Sequence, residues 1–600
     1  MALYDEPFVA AGDDEQAAFA AADAQATAPT FPPLAERPCW SVHDDWVLVG
    51  DRRFKPGVYY HTAKDGQSGP ELSDKWVCSP LWVLAVTRNR EDGDYGRLLE
   101  FISTAGQKKK WAMPMSMLAG DGNDARSVLL SNGVTFNLHD RGGILHYIAC
   151  QTPKLTMRAA TTTGWSDGAF VLPDAVIGAD DIWFQQTGRT APYGAAGTAE
   201  GWREDLAKLA AGNPLLMLAI CAGLAGPLLE PLNVDGGGLH FFGDSSCGKT
   251  TALQAATSAW GGRAYRRTWR STANGLEGAG AMHTDTLLAL DELGEIDPKH
   301  LYEAAYALAN GMGKTRANRH GESRQVARWR VFLVSTGEVT IAGRLASGGI
   351  EAKAGQSLRI LDVPVSGAYG LFDDLRGFDS GARLSDAIRN AAERHYGHAG
   401  PAFVAALVKA RHEALDLAEA LDEVLAKFST PDGQERRAAR LFAVCALAGE
   451  LASFYGVAPW PKGEPTAAAI LAFKRWCGHR GTNGQNAEHV AILRAVADFL
   501  DKHADSRFSD IDAGGTGFVR DRAGYWRQDG DSRLYLFTAA GMREAVKGFD
   551  LRRALAALDA AGAIAARDTG ASSKTTRTPD GRTPRLYHIA PGALVGGGDA

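Results

Sequence analysis

The sequence predicts a multidomain protein of the α/β class. Its 600 residues are too many for one hydrophobic core, so three or four domains are expected. Short strand-like segments separated by Gly, Asp and Asn fill residues 40–186, whereas Ala and Leu recur at helical spacing over residues 378–477. Between these regions, short apolar runs alternate with helical segments around a glycine-rich loop, which predicts an α/β core.

The composition excludes several classes of protein. A net charge of −6 excludes a uniformly basic nucleic-acid-binding protein but permits local basic patches. The seven cysteines are scattered and form no C-x-x-C pair, so neither a disulfide framework nor a zinc site is expected, and a cytoplasmic location fits. The longest apolar stretch, Pro214 to Leu229, is short for a membrane span and is interpreted as a buried helix, with no membrane partner.

The glycine-rich loop carries the phosphate-binding pattern G-x-x-x-x-G-K-[ST], known as a P-loop. It lies between a predicted strand, Leu239 to Phe242, and a predicted helix, Ala252 to Trp260. In that order, successive backbone N–H groups and the positive end of the helix dipole converge on a phosphate, whereas a chance glycine-rich loop lacks the flanking elements. Lys249 is expected on the β- and γ-phosphates of ATP, and the Thr250 hydroxyl on Mg²⁺. The predicted nucleotide-binding residues are Gly243, Asp244, Ser245, Ser246, Cys247, Gly248, Lys249, Thr250 and Thr251.

Two further predicted strands end in polar side chains suited to phosphate chemistry. Leu287 to Leu290 runs into Asp291 and Glu292, the Walker B arrangement. We expect Asp291 to hold Mg²⁺ and Glu292 to orient and deprotonate the attacking water. Such a strand is common by itself, but its position downstream of a P-loop favours this role. The strand from Val331 ends at Ser335 and Thr336, either of which would lie beside the γ-phosphate.

Arginine-rich segments follow, each with a functional and a structural interpretation. Arg359, at the start of a predicted strand from Leu358 to Pro364, is the first candidate for an arginine finger, and Arg344 is the second. Either could instead be a structural ion-pair partner. Residues 314–330 predict a basic β-hairpin that would contact DNA phosphates in the pore of a ring, or else an exposed hairpin paired with acidic neighbours. The predicted DNA contacts are Lys314, Arg316, Arg319 and Arg324.

These segments define the expected domain boundaries. In the amino-terminal region, Ile144 to Ile148 is among the predicted strands. In the carboxyl-terminal region, helices followed by a basic hairpin predict a winged helix, with Arg577, Arg582 and Arg585 against phosphates; a protein-binding winged helix is the alternative. The expected parts are a disordered segment 1–39, a β-rich domain 40–198, a P-loop core 199–377, a helical lid or bundle 378–480, a winged-helix-like domain 486–592 and a flexible tail 593–600.

The motifs together resemble those of a known family. They occur in the order Gly201-Trp202-Arg203, Gly212-Asn213-Pro214, Gly243 to Thr250, Thr268 to Glu277, Leu290 to Gly294 and Ser335 to Glu338. In this combination the chain resembles the family catalogued as domain of unknown function 927, helicase-like ATPases of phages, prophages and mobile elements. The resemblance implies an AAA+-type core, a hexameric ring, ATP with Mg²⁺, and DNA in the pore. Because Lys249, Thr250, Asp291 and Glu292 are all present, an active ATPase is expected.

The sequence therefore predicts an ATP-dependent DNA helicase or translocase that acts as a ring in the replication of a phage or mobile element. Two alternatives remain open at this point. One is a DNA-stimulated ATPase that loads or remodels other proteins without unwinding. The other is a regulatory or defence protein that uses nucleotide only as an assembly switch.

Overall fold

The computed structural model divides the chain into two compact units, Met1–Ala191 and Pro192–Ala600. The residues that it describes are 30–66, 69–185, 192–313, 328–350, 359–412, 416–430, 433–479, 487–513, 519–530 and 532–594.

Strands dominate the amino-terminal unit. Its largest sheet has five strands in the order β13-β9-β6-β7-β8, and two three-stranded sheets have the orders β1-β4-β5 and β10-β11-β12. Two helices, Asn123–Ser131 (α1) and Gly143–Cys150 (α2), pack against these strands. The strands are Cys39–His43 (β1), Val47–Val49 (β2), Arg52–Phe54 (β3), Gly57–Gly66 (β4), Gly69–Cys78 (β5), Leu81–Arg88 (β6), Gly96–Ile102 (β7), Lys108–Pro114 (β8), Leu155–Ala160 (β9), Gly164–Ser166 (β10), Ala169–Val171 (β11), Val176–Ile177 (β12) and Ile182–Phe184 (β13).

The predicted strand over Ile144 to Ile148 is wrong, because these residues lie in helix α2. The buried residues of this helix include Ile144, Tyr147 and Ile148, which are spaced by three and four positions. That spacing places side chains on one face of a helix, whereas a half-buried strand needs alternate residues.

The predicted disordered segment extends too far. Residues 1–29 lie outside the described residues, but residues 30–39 belong to the folded unit. Phe31 is buried with Val47 and Tyr59. The Arg37 guanidinium is also buried and lies 2.7 Å from the Asp74 carboxylate. An aromatic anchor and a buried ion pair therefore hold a segment whose composition alone indicated disorder.

A five-stranded parallel sheet forms the centre of the second unit. Its strand order is β15-β16-β17-β14-β18, so that β17 lies between β14 and β16. Strands β14, β16 and β17 are almost entirely buried, as expected when helices cover both faces of a parallel sheet. Because the strands are parallel, their carboxyl ends share one edge. The strands are Gly237–Phe242 (β14), Arg267–Thr268 (β15), Leu287–Asp291 (β16), Phe332–Gly337 (β17) and Ile360–Pro364 (β18).

Along the chain, helices precede, separate and follow the strands of this sheet. In Pro214–Ala225 (α3) every residue from Leu215 onward is buried, as the sequence predicted for this apolar stretch. Among the described residues, every helix is too short or too polar to cross a bilayer. The other helices of six or more residues are Lys249–Thr257 (α4), Ala273–Met282 (α5), Pro298–Asn310 (α6), Ile341–Ala346 (α7), Gly381–Arg394 (α8), Ala399–His412 (α9), Leu417–Leu425 (α10), Gly433–Phe454 (α11) and Glu464–His479 (α12).

The carboxyl-terminal region has its own small core. A sheet of order β19-β20-β21-β24-β22, with β23 paired to β24, packs with three helices around residues such as Val496, Met542 and Leu558. Residues 595–600, most of the predicted tail, lie outside the described residues. The elements are Ala487–Arg507 (α13), Phe508–Asp510 (β19), Gly524–Asp529 (β20), Ser532–Phe537 (β21), Ala539–Ala545 (α14), Leu551–Ala560 (α15), Ile564–Ala566 (β22), Lys574–Thr575 (β23) and Arg585–Ile589 (β24).

Candidate nucleotide-binding site

The glycine-rich loop joins the end of β14 to the start of helix α4. Gly248 is the residue before the helix and has a φ of +95°, which side-chain-bearing residues rarely adopt. A Cβ atom at this position would also lie 2.9 Å from the Cβ of Leu371. The second glycine of the motif is therefore required by both backbone conformation and packing.

The loop presents a row of unused hydrogen-bond donors. Within the described part of the chain, the backbone N–H groups of residues 244–251 donate to no protein acceptor. The Lys249 ammonium donates to the carbonyl oxygens of Gly243 (2.9 Å) and Asp244 (2.5 Å), so it lies over the same loop. Eight free N–H groups, a helix N-terminus and an ammonium make a concave site for an anion such as phosphate.

A cleft of about 290 Å³ opens beside this loop. Its other wall is helix α8, where Arg389 and Asp386 form an ion pair with each other. Sequence reasoning missed Arg389, because a surface arginine on an amphipathic helix has no local mark of a binding site. The lining residues are Ser246, Gly248, Lys249, Thr250, Thr251, Ala382, Ser385, Asp386 and Arg389.

Asp291 lies at the same edge of the sheet, two strands from β14, the strand that precedes the P-loop. Adjacent strands are about 4.8 Å apart, so β14 and β16 are separated by roughly 10 Å. The Asp291 carboxylate is buried. One of its oxygens accepts a hydrogen bond from the Thr336 hydroxyl, and the other lies 3.2 Å from the Arg266 guanidinium. Arg266 is a second residue that sequence reasoning did not assign to the site.

Glu292 follows Asp291 with an exposed side chain and a φ of +60°. A hydrogen bond with Glu295 and the negative charge of Glu295 raise the pKa of Glu292; burial and Asp291 add to the rise, whereas Arg266 opposes it. A carboxylate with a raised pKa is a stronger base, which suits a group that accepts a proton from water.

The two candidate polar residues at the end of β17 point to opposite faces of the sheet. The Ser335 hydroxyl accepts a hydrogen bond from the Trp269 indole (2.7 Å) and contacts His240 Nδ1 at 2.9 Å. His240 Nε2 donates to the Val339 carbonyl, and burial lowers the His240 pKa to about 4, so the neutral ring accepts the serine proton at Nδ1. The Ser335 hydroxyl is thus used inside the core, whereas that of Thr336 faces Asp291.

The part of the chain that contains this site is similar to a known protein family. Residues 50–328 match the model of the family described as Domain of unknown function (DUF927). The resemblance indicated by the sequence motifs is therefore confirmed, and the matched DUF927 region contains the P-loop, Asp291 and Glu292.

Two solved structures are also similar to the chain, to different degrees. The chain is similar to a structure described as "SCCmec type IV Cch - active helicase", with a TM-score of 0.64 and 17% identity over 89% of this chain and 95% of that chain. A structure described as "The A form apo structure of NrS-1 C terminal region-CTR" matches at a TM-score of 0.27 and 10% identity, over 53% of this chain and 65% of that one. No curated protein matches the chain. The first likeness shows a shared fold.

Removing the Glu295 carboxylate is expected to change the pH dependence of ATP hydrolysis. Because Glu295 raises the pKa of Glu292, Glu295→Gln should lower that pKa and shift the acid limb of the rate profile to lower pH. Steady-state hydrolysis measured from pH 5 to pH 9 would reveal the shift. Glu204→Gln, which removes an exposed carboxylate paired with Lys208, is the control. An acid limb that stays in place, or moves upward, would contradict this coupling.

The two substitutions Ser335→Ala and Thr336→Val are expected to have different effects. Ser335→Ala leaves the buried Trp269 N–H and His240 Nδ1 without partners and should lower the free energy of unfolding by about 1–3 kcal/mol. Thr336→Val keeps the side-chain shape but removes the donor to Asp291, so it should reduce Mg²⁺-dependent hydrolysis by about 10–100-fold. Urea unfolding and Mg²⁺ titrations of activity distinguish these effects. Equal losses of stability in the two variants would disprove the separation.

The two candidate arginine fingers have structural partners. Arg359 precedes β18, at the sheet edge opposite the P-loop, and donates to the Ala309 carbonyl and the Asn310 side chain. Arg344 lies on helix α7 and donates twice to the Ile296 carbonyl, at 3.1 and 2.7 Å. These are hydrogen bonds to carbonyl and amide oxygens, and among the described residues neither arginine forms an ion pair. A finger role for either stays a prediction.

The predicted DNA contacts Lys314, Arg316, Arg319 and Arg324 lie outside the described residues. At the borders of this segment, Met312 and Arg328 form an antiparallel bridge.

A neighbouring loop is bonded directly to the P-loop. The Leu371 N–H donates to the Cys247 carbonyl at 2.8 Å. Just beyond it, the backbone N–H groups of Asp373 and Asp374 donate to the buried Asn213 side chain at 2.9 and 3.0 Å. The Asp373 carboxylate also lies 3.1 Å from Arg475 on helix α12. The P-loop is therefore connected through one short segment to helices α3 and α12.

Proposed function

We propose that this protein is an ATP-dependent DNA helicase or translocase that works as a hexameric ring in the replication of a phage or mobile element. One observation carries the proposal: two sets of groups lie at the same edge of the parallel sheet. The free N–H groups of residues 244–251 and the Lys249 ammonium follow strand β14, and Asp291 and Glu292 lie at the end of β16, two strands away. Binding a phosphate chain at one strand and activating water from another requires this separation.

The residues present fit ATP and Mg²⁺. The loop N–H groups and Lys249 would bind the phosphates, and Arg389 would add positive charge from the facing helix. Thr250 and Asp291 would hold Mg²⁺, with Thr336 orienting the Asp291 carboxylate. When bound, ATP supplies the phosphoryl group that is transferred to water. Glu292 would orient that water and accept its proton.

Two features support an AAA+-type core. One strand, β17, lies between the P-loop strand and the strand that ends in Asp291, which places a hydroxyl donor beside the carboxylate. A helical region follows the sheet and supplies helix α8 to the wall of the phosphate cleft. In a ring, an arginine from the next subunit would complete the charge neutralisation. The similar structure described as an active helicase, at 17% identity, supports the same assignment.

The carboxyl-terminal region supports DNA as the partner. Helix α13, strands β19 to β21 and helices α14 and α15 precede the paired strands β22, β23 and β24, an arrangement that we interpret as a winged helix. The connection before β24 carries Arg577 and Arg582, and Arg585 begins the strand; all three side chains are exposed. Such a basic wing would contact phosphates without reading sequence.

Strand displacement tests the proposal. A labelled forked duplex is incubated with protein, ATP and Mg²⁺, using 5′ and 3′ tails in separate reactions, with the Glu292→Gln variant as the control for hydrolysis. We expect the wild type to release the strand from one fork polarity and the variant to release none. DNA-stimulated ATP turnover without displacement would instead indicate a loader or remodeller, and turnover that ignores DNA would indicate a switch.

A further inference from the structure

A second cleft lies at the opposite edge of the central sheet. It has a volume of about 510 Å³ and opens where the chain enters β14 and β18. The parallel strands place it at their amino ends, so it is distinct from the cleft beside the P-loop. Its lining residues are Asn233, Val234, Asp235, Gly236, Arg359, Arg437, Arg440 and Leu441.

The charge of this cleft is positive. The described lining residues include three arginines, Arg359, Arg437 and Arg440, and one acidic residue, Asp235. Within the described ranges, none of the three arginines forms an ion pair. Arg359 donates to the Ala309 carbonyl and the Asn310 side chain, and Arg440 donates to the Leu232 carbonyl at 3.5 Å. Arg437 and Arg440 are exposed and lie three residues apart on helix α11, on the same face of that helix. Their charge is therefore available to an anion from outside.

Close packing fixes the cleft in place. The neighbouring Leu441 side chain packs so tightly on Gly237 that a Cβ atom there would lie 3.0 Å from it. The Arg359 carbonyl accepts a hydrogen bond from the Gly238 N–H at 2.8 Å. Strand β18 and helix α11, which carry or adjoin the three arginines, are thus both in contact with the start of β14.

We propose that this cleft binds the phosphate groups of a nucleic-acid backbone. Guanidinium groups match phosphate oxygens with paired N–H donors, and three of them on an open cleft suit successive phosphates along a strand. Among the described lining residues, the apolar ones are Val234 and Leu441 and none is aromatic, so they offer no slot in which the base of a free nucleotide would stack.

The position of the cleft supports the same ligand. Arg359 bonds Asn310, two residues before Met312, which pairs with Arg328 at the border of the basic segment. The cleft therefore lies next to the point from which the most basic sequence in the chain begins. This inference rests on the proposed function only in taking DNA as the nucleic acid.

Binding of a fluorescent single-stranded oligonucleotide, measured by anisotropy at several salt concentrations, tests the cleft. The variants are R437A/R440A and, as the matched control, Arg436→Ala, an exposed arginine on the same helix outside the cleft lining. We expect the double variant to bind about 10-fold or more weakly and the slope of log K against log salt to fall by about 1.4, since each lost phosphate contact removes about 0.7. The control should bind as the wild type does, and R437K/R440K should recover part of the loss.

The possible outcomes distinguish a failure of the cleft assignment from a failure of the proposed function. Wild-type protein that binds no DNA overturns both. Wild-type protein that binds DNA with an affinity and salt slope unchanged in R437A/R440A overturns the cleft alone. If inorganic phosphate or ATP, but not the oligonucleotide, binds in a manner that depends on Arg437 and Arg440, the cleft binds a free anion and the nucleic-acid assignment is wrong. Preferred binding of an acidic peptide in the cleft would also contradict the nucleic-acid assignment. Thermal unfolding of each variant checks that the fold is retained.

Discussion

Replacing Glu292 by glutamine is expected to stop ATP hydrolysis while leaving nucleotide binding intact. Glutamine keeps the size of the side chain but cannot accept a proton, and loss of a positioned general base costs about 10²–10⁴-fold in rate. The substitution also removes a negative charge from a site that contains Asp291 and Glu295, so affinity for a polyanion should stay equal or rise.

Single-turnover release of phosphate, together with binding of a fluorescent ATP analogue, measures the two effects separately. Glu295→Gln serves as the matched variant, because it removes the neighbouring carboxylate and leaves the proposed base in place. A Glu292→Gln variant that hydrolyses ATP at the wild-type rate would show that another group activates the water.

The second large effect is expected from Lys249→Ala, which should abolish measurable ATP binding. The ammonium would give up its bonds to the Gly243 and Asp244 carbonyls for charge-assisted bonds to the β- and γ-phosphates. Two such bonds contribute about 1.5–3 kcal/mol each, so their loss corresponds to about 10²–10⁴-fold in affinity.

The rise in the thermal midpoint produced by ATP provides a direct measurement, because a ligand that binds only the folded state stabilises it in proportion to its affinity. The wild type should show the rise and the variant should not. Lys299→Ala, an exposed lysine on helix α6, is the control, and Lys249→Met tests whether the effect depends on the charge or on the apolar stem. Equal midpoint shifts in the wild type and Lys249→Ala would exclude this lysine from the phosphate site.

Local sequence patterns predicted the central features of the candidate site. A strand, a glycine-rich turn and a helix are adjacent in the chain, so the positions of Gly248 and Lys249 follow from short-range geometry. The apolar run before Asp291 likewise identified a buried strand. What the sequence could not supply was the insertion of β17 between these two strands, since strand order depends on contacts between residues far apart.

The residues that were missed or left ambiguous share this long-range character. Arg389 reaches the cleft because helix α8 packs beside helix α4, and Arg266 reaches Asp291 across neighbouring strands. Ser335 and Thr336 looked equivalent in the sequence, and only the register of the sheet assigns one hydroxyl to the core and the other to Asp291. The error at Ile144 was different, because its three- and four-residue spacing was already visible.

The bond between Leu371 and Cys247 has a mechanical consequence. The Cys247 carbonyl is bonded to a segment that also contacts Asn213 and Arg475, so a displacement of the loop backbone at Cys247 would be transmitted to that segment. Any such displacement would strain the segment from Leu371 to Asp374, which contacts helices α3 and α12. The hydrogen bond from the Leu371 N–H is the contact that joins this segment to the Cys247 carbonyl. The same connection would act in reverse, so a movement of those helices would alter the shape of the glycine-rich loop.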